Sequence, residues 1–115
     1  QQRGRCVTRS ATYKWVLIFD APEYREVSID KILKALNAEG LPVVPAVPPV
    51  YQHVLFNLTA DQYRVSEEGC DEAEAVVPHS VTLLHYFLGV EQSSLETIAD
   101  IIEKVMGSLG DLQKL

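Results

Sequence analysis

The sequence is short of cysteine, of positive charge and of long apolar runs, and each shortage closes a class of function. Its 115 residues include two cysteines, Cys6 and Cys70. They carry no C-x-x-C spacing, so neither a disulfide framework nor a zinc site is expected. The longest apolar run, "WVLIF" from Trp15 to Phe19, falls far short of the roughly 20 residues that cross a bilayer. No signal-peptide pattern opens the sequence, and a reducing cytoplasm is the expected setting. Ten basic residues stand against sixteen acidic ones, a net charge of −6. Nucleic acid and anionic membrane are thereby excluded as main partners, because both select clustered Lys and Arg.

Catalytic groupings are also missing. There is no G-x-G-x-x-G, P-loop or G-x-S-x-G. His53, His79 and His85 show no metal-ligand spacing, and His79 and His85, six apart, fit neither i+3 nor i+4 on a helix. Each reads as a structural histidine. Cys70 lies in an acidic segment, the wrong environment for a reactive thiolate. Glu67, Glu68, Asp71, Glu72 and Glu74 read as a solvated face rather than a cation site. Asn57-Leu58-Thr59 matches a glycosylation sequon, which is taken as a chance match in the absence of a secretion signal. Arg3, Arg5 and Arg9 make a local basic stretch, and residues 1–10 are expected to be a flexible, solvated tail. The first residue is Gln1 rather than Met, as expected of a processed chain or one cut from something longer.

What is present suffices for one small domain over residues 11–115, since 47% of the residues are hydrophobic. "ATYKWVLIFD" (Ala11–Asp20) predicts a largely buried strand that stops at Asp20-Ala21-Pro22. "APEYREV" predicts a loop. "SIDKILKALNAEG" predicts a helix. Ile29, Ile32, Leu33 and Leu36 recur at i, i+3, i+4 and i+7, Ser28 is placed to cap it, and Gly40 ends it in a left-handed turn. "LPVV" predicts a short strand at a sheet edge, because Pro42 has no amide to donate. "LTADQYR" predicts a turn, "VSEEGCDEAEA" (Val65–Ala75) a weak helix capped by Ser66, and "VVP" (Val76–Pro78) a short strand. "HSVTLLHYFLGV" fits no single period. The last helix opens on a Ser93-x-x-Glu96 capping box and lines one face with Leu95, Ile98, Ile102, Val105, Met106 and Leu109. Gly107 and Gly110 suggest fraying. The implied fold class is α+β, with a small three-stranded, mainly antiparallel sheet and helices packed on one side.

The unusual stretch is "GLPVVPAVPPVYQHVLF", Gly40 to Phe56. Four prolines fall between Pro42 and Pro49, which excludes a helix or a central strand. The spacing Pro42-x-x-Pro45 and Pro45-x-x-Pro48 matches ligands of SH3-like domains, but the flanks are Val, Ala and Tyr rather than a basic residue. A stiff, apolar, donor-poor loop remains, and it either covers a sheet edge or shapes a pocket.

Several segments in order resemble the C-terminal small domain of the DegT/DnrJ/StrS family, fold-type I aminotransferases that use pyridoxal phosphate (PLP). They are "LNAEGLPV" (Leu36–Val43), "VPPVYQHVLF" (Val47–Phe56), "VVPHSVTLL" (Val76–Leu84) and "IADIIEKV" (Ile98–Val105). The resemblance covers Ala11 to Met106. Val47 stands where the family often has Tyr, Tyr51 where some members have His, and "HYF" (His85–Phe87) replaces a Gly-ended pattern. The resemblance implies a domain that helps bind a nucleotide-sugar or cyclitol substrate and close the cleft. It also implies that the Schiff-base lysine and the PLP-binding residues lie in a large N-terminal domain, so that this chain alone holds no PLP and catalyses nothing by itself. Tyr51, His53 and Tyr13 are the implied substrate-cleft residues, and no catalytic, cofactor or metal residue is assigned. The expected partner is the missing large domain or a self-association partner. The alternative is a stand-alone, non-catalytic interaction module derived from that domain.

Overall fold

The computed structural model describes residues 13–59, 61–64 and 70–114, with the side chain of Leu88 outside that set. Three strands, β1 (Lys14–Ile18), β2 (Val43–Pro45) and β3 (Ser80–Leu84), form one sheet in the order β1-β3-β2. Both pairings are antiparallel, with Trp15 opposite Leu83 and Val43 opposite Leu83 as well. The helices are α1 (Pro22–Arg25), α2 (Ile29–Ala38), α3 (Asp71–Val76), α4 (Gln92–Gly107) and α5 (Leu109–Lys114). The fold class is α+β, as the sequence pattern implies.

Side-chain alternation divides the sheet into two unlike faces. Leu17, Phe19, Val43, Val81 and Leu83 share one face and pack with Ile32 and Leu36 of α2 and Ile98 and Val105 of α4 in a single core. The other face carries Val16, Ile18 and Val44, which stay partly open to solvent around the buried Thr82. The helices α2 and α4 therefore cover one side only. Lys104 reaches Glu39 at 2.5 Å and ties α4 to the end of α2.

Helix α2 ends as its glycine dictates. Gly40 adopts φ +90°, its amide donates to Asn37 O (3.1 Å) and the Leu41 amide donates to Leu36 O (2.9 Å). This pair of bonds is the Schellman arrangement, with buried Leu36 and Leu41 at its two ends. β2 lies at a sheet edge, as expected, but the strand starts after Pro42 and the proline within it is Pro45. Ser28 precedes α2 as expected, but its hydroxyl makes no capping bond.

Other expectations are overturned. The strand expected over Ala11–Asp20 forms as β1, but it is not largely buried: it is a sheet edge, and Trp15, Val16 and Ile18 stay exposed. "APEYREV" contains α1, where Pro22 occupies the first turn and needs no amide there. The expected strand Val76–Pro78 is the end of α3 followed by a 3₁₀ turn, Val77–His79, and the third strand starts two residues after Pro78. β3 occupies the ambiguous "HSVTLLHYFLGV" segment and leads into a 3₁₀ turn, His85–Gly89. Helix α4 starts at Gln92 with Glu91 before it, so Ser93 lies inside the first turn and caps nothing. Within the helix the Thr97 hydroxyl donates back to Ser93 O at 3.1 Å, which satisfies a carbonyl and not a first-turn amide. The chain does not fray after Gly107 but turns into α5. The expected cap at Ser66, the residues Glu67, Glu68 and Gly69, Cys6 and the tail 1–10 lie outside the described residues.

Candidate functional site

The loop after β2 is built by its prolines. Pro48 and Pro49 fix an extended entry, and a 3₁₀ turn, Val50–Gln52, reverses the chain. The turn is closed by the Gln52 amide on Pro49 O (2.9 Å) and the His53 amide on Val50 O (3.1 Å). A second turn follows, with the Phe56 amide on His53 O at 2.8 Å. Phe56 then meets the edge of the Tyr63 ring, centroids 5.1 Å apart, which braces the far end.

Between these turns Val47, Pro48, Val50, His53, Leu55 and Phe56 line a shallow apolar concavity of about 190 Å³. Val54 and Leu55 are 91% and 82% exposed, an unusual placement for large apolar side chains so close together. His53 is the single ionisable group on this wall. Its Nδ1 accepts the Leu55 amide at 3.1 Å, so the neutral ring carries its proton on Nε2.

Tyr51 faces away from the concavity and toward α3. Its hydroxyl donates to the Glu74 carboxylate. The hydroxyl is held well above the usual tyrosine range, first by that bond, then by desolvation and the Glu74 charge, with smaller contributions from Cys70. Tyr51 therefore stays protonated where an ordinary tyrosine begins to ionise, and serves as a fixed donor that anchors the loop. At the polar turn downstream, the Thr59 hydroxyl meets Asp61 at 2.5 Å and holds its carboxyl below the ordinary value.

Tyr13 lies elsewhere. The register carries it past Lys14 and Leu84, to the end of the sheet opposite the end where β2 gives way to the loop. There it is 72% exposed and stacks on His85 with centroids 5.3 Å apart. The structure thus places Tyr51 and His53 on one loop, on its two sides, and sets Tyr13 apart from both. The apolar lining residues and Glu74 were not singled out as a unit by the sequence. A helix-borne carboxylate 23 positions from its tyrosine leaves no local signal.

The concavity does not fit a pyridoxal phosphate. Its lining holds no amine for a Schiff base and no cation or helix N-terminus for a phosphate. Of the described lysines, Lys104 pairs with Glu39, Lys114 with Asp111, and Lys31 donates to Gln113 O. Among the described residues no cluster of His, Cys, Asp or Glu could hold a metal ion, and no helix is long and apolar enough to cross a membrane.

The chain is similar to a Micromonospora echinospora protein named "Putative L-glutamine:3-amino-2,3-dideoxy-scyllo-inosose aminotransferase". The two are 30% identical over 122 residues, which take in 94% of this chain and 29% of that protein. The chain therefore spans less than a third of the length of the relative it matches, and the similarity runs along nearly all of this chain. No protein-family model matches the chain, and no solved structure matches it.

Proposed function

We propose that the chain is the C-terminal small domain of a PLP-dependent aminotransferase of the DegT/DnrJ/StrS type, acting on a cyclitol or nucleotide-linked sugar in the cytoplasm. The observation that carries this reading is the similarity along 94% of the chain to 29% of an aminotransferase. A relationship confined to one part of a larger enzyme is what a domain gives.

In this reading the Schiff-base lysine and the phosphate site come from the rest of the enzyme, because the loop's lining supplies neither. The loop supplies a wall. Val47, Val50, Leu55 and Phe56 exclude water from one side of the cleft, and His53 presents an Nε2–H donor to a hydroxyl or carbonyl of the substrate. Prolines keep the wall in place at little entropic cost on closure. The exposed Val54 and Leu55 find their cover when the cleft closes.

The test is to express the full native reading frame that contains this chain. PLP absorbance and amino transfer from L-glutamine to a keto-cyclitol are expected. His53→Ala is expected to raise KM by roughly tenfold with a smaller change in kcat, the loss of about one hydrogen bond. A frame that opens close to Gln1, or a full-length protein that takes up no PLP, overturns the reading and leaves the stand-alone module.

A further inference from the structure

The two edges of the sheet differ in what they offer to another strand. The Phe19 amide donates to His79 O at 2.8 Å, which fixes the alternation of the β1–β3 ladder. Trp15 and Leu17 bond inward to β3, and Lys14, Val16 and Ile18 turn their amides and carbonyls to the outer edge. Carried across β3, the same alternation makes Val44 bond inward and turns Val43 and Pro45 outward at β2.

The β2 edge is closed. Pro45 has no amide, and the carbonyl of Val43 accepts the side-chain amide of Asn37 at 3.0 Å. The β1 edge has no such guard. Its sequence, KWVLI, contains no proline, and no side-chain hydrogen bond to Lys14, Val16 or Ile18 is seen among the described residues; the nearest lies two residues beyond the strand, where Arg25 Nε donates to Asp20 O at 3.1 Å. An unblunted apolar edge is a template for another strand.

We propose that β1 is a self-association edge, at which two copies of this chain pair through antiparallel β1 strands about a two-fold axis at Val16. Three features select a second copy. Lys14, Val16 and Ile18 are spaced symmetrically about Val16, so each outward donor and acceptor meets its complement when the strand meets itself. In that register Trp15, 43% exposed at the edge, lies across from Leu17 of the second copy. Lys14 lies diagonal to Asp20 of the second copy, an opposite-charge pair made twice in a chain of net charge −6. The half-open Val16 side chain meets Val16 of the second copy, and Ile18 lies across from the Lys14 stem and diagonal to that Val16. The result is one six-stranded sheet.

The interface is small, below the ~1,200 Å² of standard interfaces, so the association is weak and concentration-dependent. It stands apart from the proposed function, and its failure leaves that reading untouched.

Sedimentation equilibrium of the 115-residue chain between about 1 µM and about 1 mM tests it. The mass is expected to rise from 12.8 kDa toward twice that value. Val16→Pro removes the amide on the two-fold axis but no bond to β3, because proline is tolerated where the amide faces away from the ladder. It is expected to stay folded by circular dichroism and to weaken association at least tenfold. Lys14→Asp and Asp20→Lys are each expected to weaken it several-fold, and the double variant to restore it. Should Val16→Pro unfold, hydrogen exchange of the wild type decides: the Val16 and Ile18 amides are expected to slow as concentration rises. A chain that stays monomeric throughout overturns the proposal. So does a dimer indifferent to a folded Val16→Pro, or protection of those amides that does not change with concentration.

Discussion

Tyr51 and Glu74 are 23 positions apart, and the hydroxyl of the first donates to the carboxylate of the second, which pins the loop after β2 to the side of α3. Tyr51→Phe keeps the ring and removes the donor. The loop amides of His53 and Phe56 are expected to exchange faster in this variant, while β3 amides keep their protection. Hydrogen exchange read residue by residue checks this. Equal loosening of β3 would show that the bond supports the whole fold rather than the loop.

The same bond sets a pH dependence. The folded-state pKa of Tyr51 lies above its unfolded value of about 10. The raised value means that the folded state holds the proton more tightly. Its contribution to stability is fully present below pH ~10 and is lost as pH rises from there through the folded pKa. Ultraviolet titration of the tyrosinate band is expected to show one of the five tyrosines ionising later than the rest, and Tyr51→Phe to abolish that late phase.

Asn37 donates to two carbonyls, Leu33 O at 2.8 Å and Val43 O at 3.0 Å, and so joins α2 to the outer edge of β2. Asn37→Ala leaves the Val43 carbonyl without its partner. A loss of about 1–2 kcal/mol is expected in denaturant unfolding. A larger self-association constant than wild type would show that the amide also guards that edge.

Gly40 sits at φ +90° with open space where a Cβ would go. The strain of Gly40→Ala is therefore backbone strain alone, about 1–2 kcal/mol. Leu36→Ala, at a fully buried position in the last turn of α2, removes core volume and is expected to cost about 2–5 kcal/mol. Thermal or denaturant unfolding that ranked the glycine variant as the more damaging of the two would contradict this division between strain and packing.

Elements with a strong local rule were legible in the sequence. The i, i+3, i+4, i+7 pattern of α2, its Gly40 stop and the edge position of the strand after it appear in the fold; "WVLIF" forms a strand too, but an exposed edge strand rather than the largely buried one its apolar run implies. The failures have physical causes. Val76, Val77 and Pro78 read as a strand by β-branching and proline, but proline also fits the first turn of a 3₁₀ helix, and here that geometry prevails. β3 is the central strand and is buried on both faces, and its short polar–apolar alternation, Ser80 to Leu83, is lost in the apolar run Leu83–Val90 that follows it. Ser93-x-x-Glu96 is a local pattern two residues too late, because Glu91 holds the cap position and the helix begins at Gln92. At the site, the prolines announced a rigid loop, and His53 lies on its wall. The Tyr51–Glu74 bond and the distance of Tyr13 depend on contacts between remote segments, which no spacing encodes.

The unequal edges of the sheet bear on how far assembly can go. A sheet open on both sides is a monomer unit for a fiber, since each added copy exposes a fresh growing end. Here Pro45 and the Asn37 amide terminate one side of every copy. Any chain growth through β1 is therefore complete after a single addition, and the fold carries within itself a stop against propagation into filaments.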